Sequence, residues 1–146
     1  MTAAETQQLA TFWLGDLLLG IDIVAIREIN RVVEITPVPD APAAVKGVVN
    51  LRGDVVTILD LRSLLGLELV ELTSQSRLIV IPMDEEVVGL IVDRVTDVAT
   101  VTTDDEVPLP ANMGCLDGRY FTGVYKLNND LLVVLDVTAA LAVAEE

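Results

Sequence analysis

The feature that most constrains this sequence is an internal repeat. Segments around Gly20 and Gly47 recur around Gly89 and Gly123. The aligned residues are Ile21-Asp22-Ile23 on Leu90-Ile91-Val92, and Val48, Leu51, Asp54, Leu59-Asp60 and Leu65 on Val124, Leu127, Asp130, Leu135-Asp136 and Leu141. Self-similar segments of this kind indicate one supersecondary unit used twice. The sequence therefore predicts two similar halves with a pseudo-twofold relation.

Composition and turn signals predict that the repeated unit is made of β-strands. Hydrophobic residues are 52% of the 146 residues and aromatic residues only 3%, so Val, Leu and Ile must build the core, and Val and Ile favour strands. Short apolar runs are separated by turn sequences at Gly15-Asp16, Arg52-Gly53, Asp84-Glu85-Glu86 and Asn128-Asn129. Many short strands at this spacing are typical of small barrels. We expect one domain over 1–146, with barrels mainly over 9–66 and 76–142 and an exchange of strands or helices allowed between them.

The connections within each half can be predicted in outline. Asp60 and Asp136 stand where they would cap a short helix that follows each second hairpin. Three prolines in Thr36–Pro42 prevent that stretch from continuing a central strand. It should cross the surface before a short turn of helix near Ala43–Lys46. A second irregular stretch is expected from Thr102 to Cys115.

Charge and composition exclude several classes of function. The net charge of −14 repels nucleic acid and anionic lipid surfaces. Histidine is absent, which removes the commonest general base and the commonest zinc ligand. Cys115 is the only cysteine, so no disulfide can form within the chain. With no glycine-rich phosphate loop and no flanked catalytic serine in the sequence, we expect no enzyme activity, no cofactor and no metal.

A cytoplasmic protein is expected from the N-terminal segments. Met1 to Gln8 carries no Lys or Arg, so it lacks the basic start of a signal peptide. Leu17 to Ile26 is the most apolar stretch, but it is interrupted by Gly20 and Asp22 and is too short to span a bilayer.

Arg52 is a candidate binding residue, because it is one of only nine Lys and Arg residues in a strongly acidic chain. It stands at a predicted hairpin tip between two apolar strands. A cation at this place is either paired with a nearby carboxylate, for which Glu28 is a candidate, or presented to a partner protein. The sequence leaves both possibilities open.

One long segment indicates a protein family. The residues from Gly47 to Arg62, GVVNLRGDVVTILDLR, resemble the signature segment of CheW-like domains. Gly20–Ile23, Ile26–Ile29 and Val88–Val95 are similar to further segments of that family and occur in the same order. The resemblance extends from about Leu9 to Leu141, which is nearly the whole chain.

The resemblance implies a fold and a function. The family fold is two five-stranded SH3-like barrels with short helices, which agrees with the repeat. Members act as non-enzymatic adaptors that bridge the cytoplasmic tip of methyl-accepting chemotaxis receptors and the regulatory domain of the CheA histidine kinase. A protein of this kind would be monomeric alone. It would be recruited from the cytoplasm to membrane-associated receptor arrays without entering the membrane or binding nucleic acid.

Five positions match the receptor-binding residues of the family. They are Ile26, Glu28, Gly47, Asn50 and Arg52. By resemblance, Ile26 would supply an apolar contact and Gly47 a close approach of the backbone. Arg52 with Glu28 would form a polar clamp that orients the groove.

Kinase-binding positions carry over less directly. The resemblance assigns Leu78 and Val95 to this role, but either could be a core residue instead. Two departures from the family pattern are Ala44, where relatives often have an aromatic residue, and Thr57, where proline is common. The first puts the packing under the receptor groove in question.

Two alternative functions differ from this interpretation in pathway or in class. A CheW-like adaptor could serve a pilus or other non-flagellar chemosensory pathway, which the sequence does not separate from chemotaxis. A ligand-binding β-barrel would need a sizeable closed pocket with converging polar groups. Small barrels of this type are usually filled by their own side chains, which disfavours that alternative.

Overall fold

A computed structural model describes residues 6–32, 34–83, 86–108, 120–127 and 130–144. The strands are β1 (Thr6–Leu14), β2 (Leu17–Asp22), β3 (Glu28–Arg31), β4 (Val45–Leu51), β5 (Asp54–Asp60), β6 (Arg77–Met83), β7 (Glu86–Val92), β8 (Arg94–Thr102), β9 (Glu106–Val107), β10 (Phe121–Leu127) and β11 (Asp130–Leu135). The helices are α1 (Leu61–Leu64) and α2 (Val137–Ala144), with 3₁₀ turns at Ile23–Ala25 and Thr103–Asp105. None of the helices in the described ranges is long and apolar enough to cross a bilayer.

The strands form two sheets built on the same plan. The five-stranded sheet has the order β3-β6-β7-β5-β4, and the six-stranded sheet has the order β8-β1-β2-β11-β10-β9. Each contains one parallel pairing, β5 with β7 in the first and β11 with β2 in the second, while the other pairings are antiparallel. The prediction of a mostly β fold with two similar units and short helices is confirmed, and the structure is consistent with the expected SH3-like fold. One sheet has six strands where five were expected, and closure of each sheet into a barrel stays a prediction.

In each parallel pairing, one strand belongs to the first aligned segment of the repeat and the other strand belongs to the second. Ile58 lies opposite Gly89 in one sheet, and Val134 lies opposite Gly20 in the other. A Cβ on Gly89 would lie 2.8 Å from Cδ1 of Leu78, and a Cβ on Gly20 would lie 3.2 Å from a leucine Cδ1 of β11. Both glycines therefore recur because neighbouring core side chains occupy the space that a Cβ would need.

Each sheet contains strands from both predicted ranges, 9–66 and 76–142, which is an exchange that the prediction allowed. The hairpin β1-β2 belongs to the first range but pairs within the sheet of β8–β11, while the hairpin β6-β7 pairs with β3, β4 and β5. A hairpin forms through local contacts, but its parallel partner is joined to it by a long connection. The local sequence pattern therefore does not specify which half supplies that partner. The division into barrel units stays a prediction.

The core has three parts. A central cluster contains residues of both sheets and of both helices, among them Phe12, Leu19, Ile21, Leu61, Ile79, Leu90, Leu135 and Leu141. Each sheet also has its own small cluster. Val56, Ile58 and Leu78 belong to the cluster of the five-stranded sheet. Their repeat equivalents Leu132, Val134 and Leu9 belong to the cluster of the six-stranded sheet.

Each irregular stretch pairs with a strand at one side of a sheet. Thr36 exchanges backbone hydrogen bonds with Val48 of the edge strand β4, at N–O distances of 2.9 and 2.8 Å. In the other sheet, Val107 pairs with Val124, the repeat equivalent of Val48. The chain that leaves one edge strand thus pairs with the opposite edge of the same sheet. Of the predicted stretch 102–115, residues 109–115, which include Cys115, lie outside the described ranges.

The helical predictions have different outcomes. The Asp60 carboxylate accepts a hydrogen bond from the backbone of Arg62 at 3.0 Å, and Asp136 accepts one from Ala139 at 3.1 Å, so both predicted caps are confirmed. The predicted helical turn near Ala43–Lys46 is wrong, because residues 43–44 form a turn and β4 begins at Val45. Pairing with β5 supplies more backbone hydrogen bonds than a single helical turn could.

Candidate partner-binding site

The hairpin between β4 and β5 ends in a tight turn at Arg52 and Gly53. Both residues have positive φ, 54° and 90°, which matches the two-residue turns that suit strand twist. Asn50 shapes this turn, because its side-chain Oδ1 accepts a hydrogen bond from Gly53 N at 3.1 Å. Positive φ is less favourable for arginine than for glycine or asparagine. The backbone conformation of this turn therefore does not explain why the residue at position 52 is an arginine.

Arg52 is both paired and exposed. Its Nη1 lies 2.9 Å from Oε2 of Glu28 at the start of β3, and Asn30 donates a hydrogen bond to the other oxygen of that carboxylate. The Arg52 side chain is 80% exposed, whereas the Glu28 side chain is 18% exposed. The pairing with Glu28 that the sequence allowed is therefore present, and the paired guanidinium stays exposed to solvent. Its presentation to a partner stays a prediction.

A second ion pair links the same two elements. Arg27 Nη1 lies 3.4 Å from Oδ2 of Asp54, and both side chains are exposed. Strands β3 and β4 are the two edges of the five-stranded sheet, so these pairs join the β4-β5 hairpin to the opposite edge. Exposed pairs of this kind contribute at most about 1 kcal/mol to stability. Their main effect is on orientation and local charge.

The ion pairs border a small groove. It has a volume of about 160 Å³ and is lined by Arg27, Glu28, Leu51, Arg52, Asp54, Val56 and Val80. Pockets for small molecules usually exceed about 300 Å³. The groove therefore suits a protein side chain from a partner better than it suits a free ligand.

Two exposed apolar side chains lie near these ion pairs in sequence. Val55 follows Asp54 on β5 and is 63% exposed, and Val24 in the 3₁₀ turn before β3 is 87% exposed. Sequence reasoning missed both residues. In apolar runs such as Val55-Val56, alternation along a strand sends only one of two neighbours inward, and the run itself does not identify which one.

The other two predicted receptor residues, Ile26 and Gly47, differ in their distance from the groove along the chain and in their burial. Ile26 directly precedes Arg27, is half-buried and packs against the central cluster. Gly47 is not part of the groove. It is buried on β4 with φ 149°, and a Cβ there would overlap the carbonyl of Thr36 and lie 2.8 Å from Cγ2 of Ile35. The absence of a side chain at Gly47 therefore has a structural role, because it lets the chain at Thr36 pair with β4.

The two kinase-binding predictions fall on core positions. Leu78 is 1% exposed and belongs to the small cluster of the five-stranded sheet, so its side chain offers no surface to a partner. Val95 on β8 is half-buried, lies opposite Phe12 and packs against the central cluster. Burial therefore corrects the expectation for Leu78 and leaves Val95 at the margin of the core.

The two departures from the family pattern also have positions in the structure. Ala44 is half-buried against the central cluster, and its carbonyl accepts a hydrogen bond from Asp60 N at 3.0 Å. Thr57 lines a groove of about 180 Å³ together with Pro42 and Leu141. Neither residue touches the groove around Arg52.

A polar junction that the sequence did not predict lies between the sheets. Arg62 Nε donates to Oδ1 of Asp93 at 3.0 Å, and Gly15 N donates to Oδ2 at 2.8 Å. Arg62 Nη1 also donates to the carbonyl of Glu68 at 2.8 Å. The hydrogen bond from Arg62 is the main cause that lowers the pKa of Asp93 below its usual value, and it raises the pKa of Arg62. No spacing rule connects residues 62 and 93, because tertiary folding alone brings them together.

Known proteins are similar to this chain in sequence. Residues 8–145 match the family model described as a CheW-like domain. The chemotaxis protein CheW of Rhizobium meliloti is 35% identical over 131 residues, covering 90% of this chain and 84% of the relative. That of Klebsiella aerogenes is 34% identical over 145 residues, covering 98% and 87%.

A solved structure has the same architecture. The crystal structure of the scaffolding protein TtCheW from Thermoanaerobacter tengcongensis superposes with a TM-score of 0.81 at 26% identity. The match covers 91% of this chain and 86% of that one. Together with the match over residues 8–145, this similarity in sequence and fold shows that the chain belongs to the CheW-like domain family.

Proposed function

We propose that this chain is a chemotaxis adaptor, without chemistry of its own, that couples methyl-accepting chemotaxis receptors to a CheA-type histidine kinase at the cytoplasmic face of the membrane. The observation that carries the proposal is the exposed guanidinium of Arg52, held by Glu28 at the tip of a strained turn. Family membership supplies the class of partner, and this geometry supplies a place to bind it.

The receptor surface is the groove around Arg52 with its exposed apolar neighbours. Arginine is enriched among the residues that dominate binding energy at protein interfaces. Because Glu28 already holds Arg52, less side-chain entropy is lost on binding than for a free arginine. Val55 adds exposed apolar area at the same hairpin, on the face of β5 opposite to the groove-lining Asp54 and Val56.

The kinase surface is assigned to the six-stranded sheet, at its edge strand β8. Val95 marks the inner side of this strand, and Val98 is an exposed apolar residue three positions later. Two partners on two sheets can be bound together without competing for one surface. That arrangement suits an adaptor that transmits receptor state to a kinase.

The alternatives have less support. The cluster of the five-stranded sheet is filled by Val49, Val56, Ile58, Leu78 and Val80, so its interior is occupied by side chains and a ligand-binding barrel is disfavoured. Service in a non-flagellar pathway is not favoured either, because the relatives in Rhizobium meliloti and Klebsiella aerogenes carry the name chemotaxis protein CheW.

The direct test is calorimetric titration with the CheA regulatory domain and, separately, with a receptor tip hairpin from the same organism. We expect saturable one-to-one binding to each, with dissociation constants of about 1 μM. A third titration of the receptor tip into the preformed kinase complex should still saturate. Absence of binding to every CheA and receptor paralogue of the organism would reject the proposed function.

Arg52 variants separate recognition from stability. Arg52→Ala is expected to weaken receptor-tip binding about tenfold and to leave the thermal transition nearly unchanged. Arg52→Asn should lose the same affinity but gain about 0.5 kcal/mol in the free energy of unfolding, because asparagine tolerates positive φ. Titration calorimetry and thermal melts measure the two quantities. If both variants kept receptor affinity and lost stability, Arg52 would be structural.

A further inference from the structure

We propose that Arg62 and Asp93 are a positioning pair that fixes the relative orientation of the two sheets, and through it the relative orientation of the two partner surfaces. The pair has no place in either surface described above. Its importance follows from where Asp93 lies along the chain.

Asp93 is the one residue between β7 and β8. Strand β7 belongs to the five-stranded sheet and β8 to the six-stranded sheet. The chain therefore changes sheets at this residue. Because both neighbours of Asp93 are held in strands, movement of one sheet relative to the other must be absorbed at this position.

The Asp93 side chain joins elements of both sheets at that point. Arg62 comes from α1, which directly follows β5 of the five-stranded sheet, and Gly15 comes from the turn between β1 and β2 of the six-stranded sheet. Both donate to Asp93: Arg62 donates to the two carboxylate oxygens, and Gly15 N donates to Oδ2. Asp93 N also donates to the carbonyl of Trp13 at 3.2 Å. One residue thus holds three connections between the sheets.

The internal repeat shows that the fold itself does not require this pair. The repeat alignment places Asp93 on Val24 and Arg62 on Thr138. The chain also changes sheets around Val24, between β2 and β3, yet the side chain there is apolar and 87% exposed. Since one transition folds without a charged junction, the junction at Asp93 is an addition to the repeated unit.

The chemistry of the pair suits an orienting role. Apolar packing in the central cluster is strong but non-directional. A guanidinium and a carboxylate joined through two hydrogen bonds impose a defined geometry. The Arg62 side chain is 13% exposed and that of Asp93 28% exposed, so water and salt weaken the interaction less than they weaken a surface pair.

Inter-sheet distances test the proposal directly. Spin labels would be attached at Val55→Cys on β5 and Thr100→Cys on β8, both exposed positions, in a Cys115→Ser background. Pulsed electron resonance would then give the distance distribution. We expect Arg62→Gln to broaden and shift the distance distribution. Arg62→Lys keeps the charge but loses the paired N–H donors of the guanidinium, so its effect should be intermediate. Arg27→Gln, which breaks an exposed pair within one sheet, should leave the distribution as in the unmodified protein.

Each outcome decides the proposal. Identical distributions in folded Arg62→Gln and in the unmodified protein would overturn it. If Arg62→Gln failed to fold, Arg62→Lys would decide in the same way. These distances need no partner, so they stand even if the proposed adaptor function fails.

The functional consequence rests on the proposed adaptor function and has its own test. In unlabelled Arg62→Lys, we expect receptor-tip and kinase affinities measured separately to stay unchanged. The effect of bound receptor tip on kinase affinity should fall about fivefold. A merely structural role would instead lower both separate affinities. Unchanged coupling would overturn the link between sheet orientation and signalling.

Discussion

Gly47→Ala is expected to lower the free energy of unfolding by about 3 kcal/mol. Gly47 has φ 149°, and an added Cβ would overlap the Thr36 carbonyl. Thr36 is held in place by two backbone hydrogen bonds to Val48, so the backbone cannot retreat without breaking them. Urea-induced unfolding monitored by circular dichroism measures the loss.

Gly53→Ala is the matched control for Gly47→Ala. Gly53 also has positive φ, 90°, but nothing lies within 4 Å of its added Cβ. It should cost only the conformational strain, about 1 kcal/mol. Equal losses at both positions would show that close approach to Thr36 is unimportant. A stable Gly47→Ala protein with weakened receptor binding would favour the direct contact that the family resemblance predicts.

The repeated hairpins and helix caps can be predicted from the sequence because the signals for them are local. Turn residues such as Gly15 and Gly53, the caps Asp60 and Asp136, and the alternation of apolar runs act over a few residues. The exchange of the hairpins β1-β2 and β6-β7 between the sheets was beyond such signals. It is determined by the parallel pairings of β5 with β7 and β11 with β2, which join segments far apart in sequence.

The candidate site was predicted only in part, for the same reason. The sequence singled out Arg52 because Lys and Arg are scarce in this chain, and its candidate partner Glu28 is the residue that it pairs with. Leu78 could not be placed from its residue type, since a leucine fits a core and an interface equally well. Gly47 was singled out by resemblance, but its internal reason required the path of Thr36.

The Arg62–Asp93 junction gives the second large prediction. Asp93→Asn is expected to lower the free energy of unfolding at pH 7 by about 2 kcal/mol, because it leaves the guanidinium of Arg62 without its anionic partner. The lost ion pair is largely buried, so the loss should persist at high salt. Chemical unfolding at low and high salt measures it.

The pH dependence of this loss has a definite sign. The pKa of Asp93 is lowered in the folded protein, mainly by the hydrogen bond from Arg62, so the folded state stabilises the ionised carboxylate. That contribution is fully present above the unfolded pKa of about 3.9. It is lost as the pH falls through the lower folded pKa. The gap in stability between the unmodified protein and Asp93→Asn should therefore be constant near neutrality and narrow below about pH 4.

Measuring a difference between two proteins is essential, because the chain has 23 acidic residues and many of them titrate in the same range. Asp54→Asn is the matched control, since it breaks the exposed pair with Arg27. It should cost less than about 1 kcal/mol, and high salt should remove most of that loss. A gap for Asp93→Asn that stayed constant down to pH 2 would mean that the charge of Asp93 does not stabilise the junction. The loss in Asp93→Asn would then come from the side-chain amide itself and not from the missing charge.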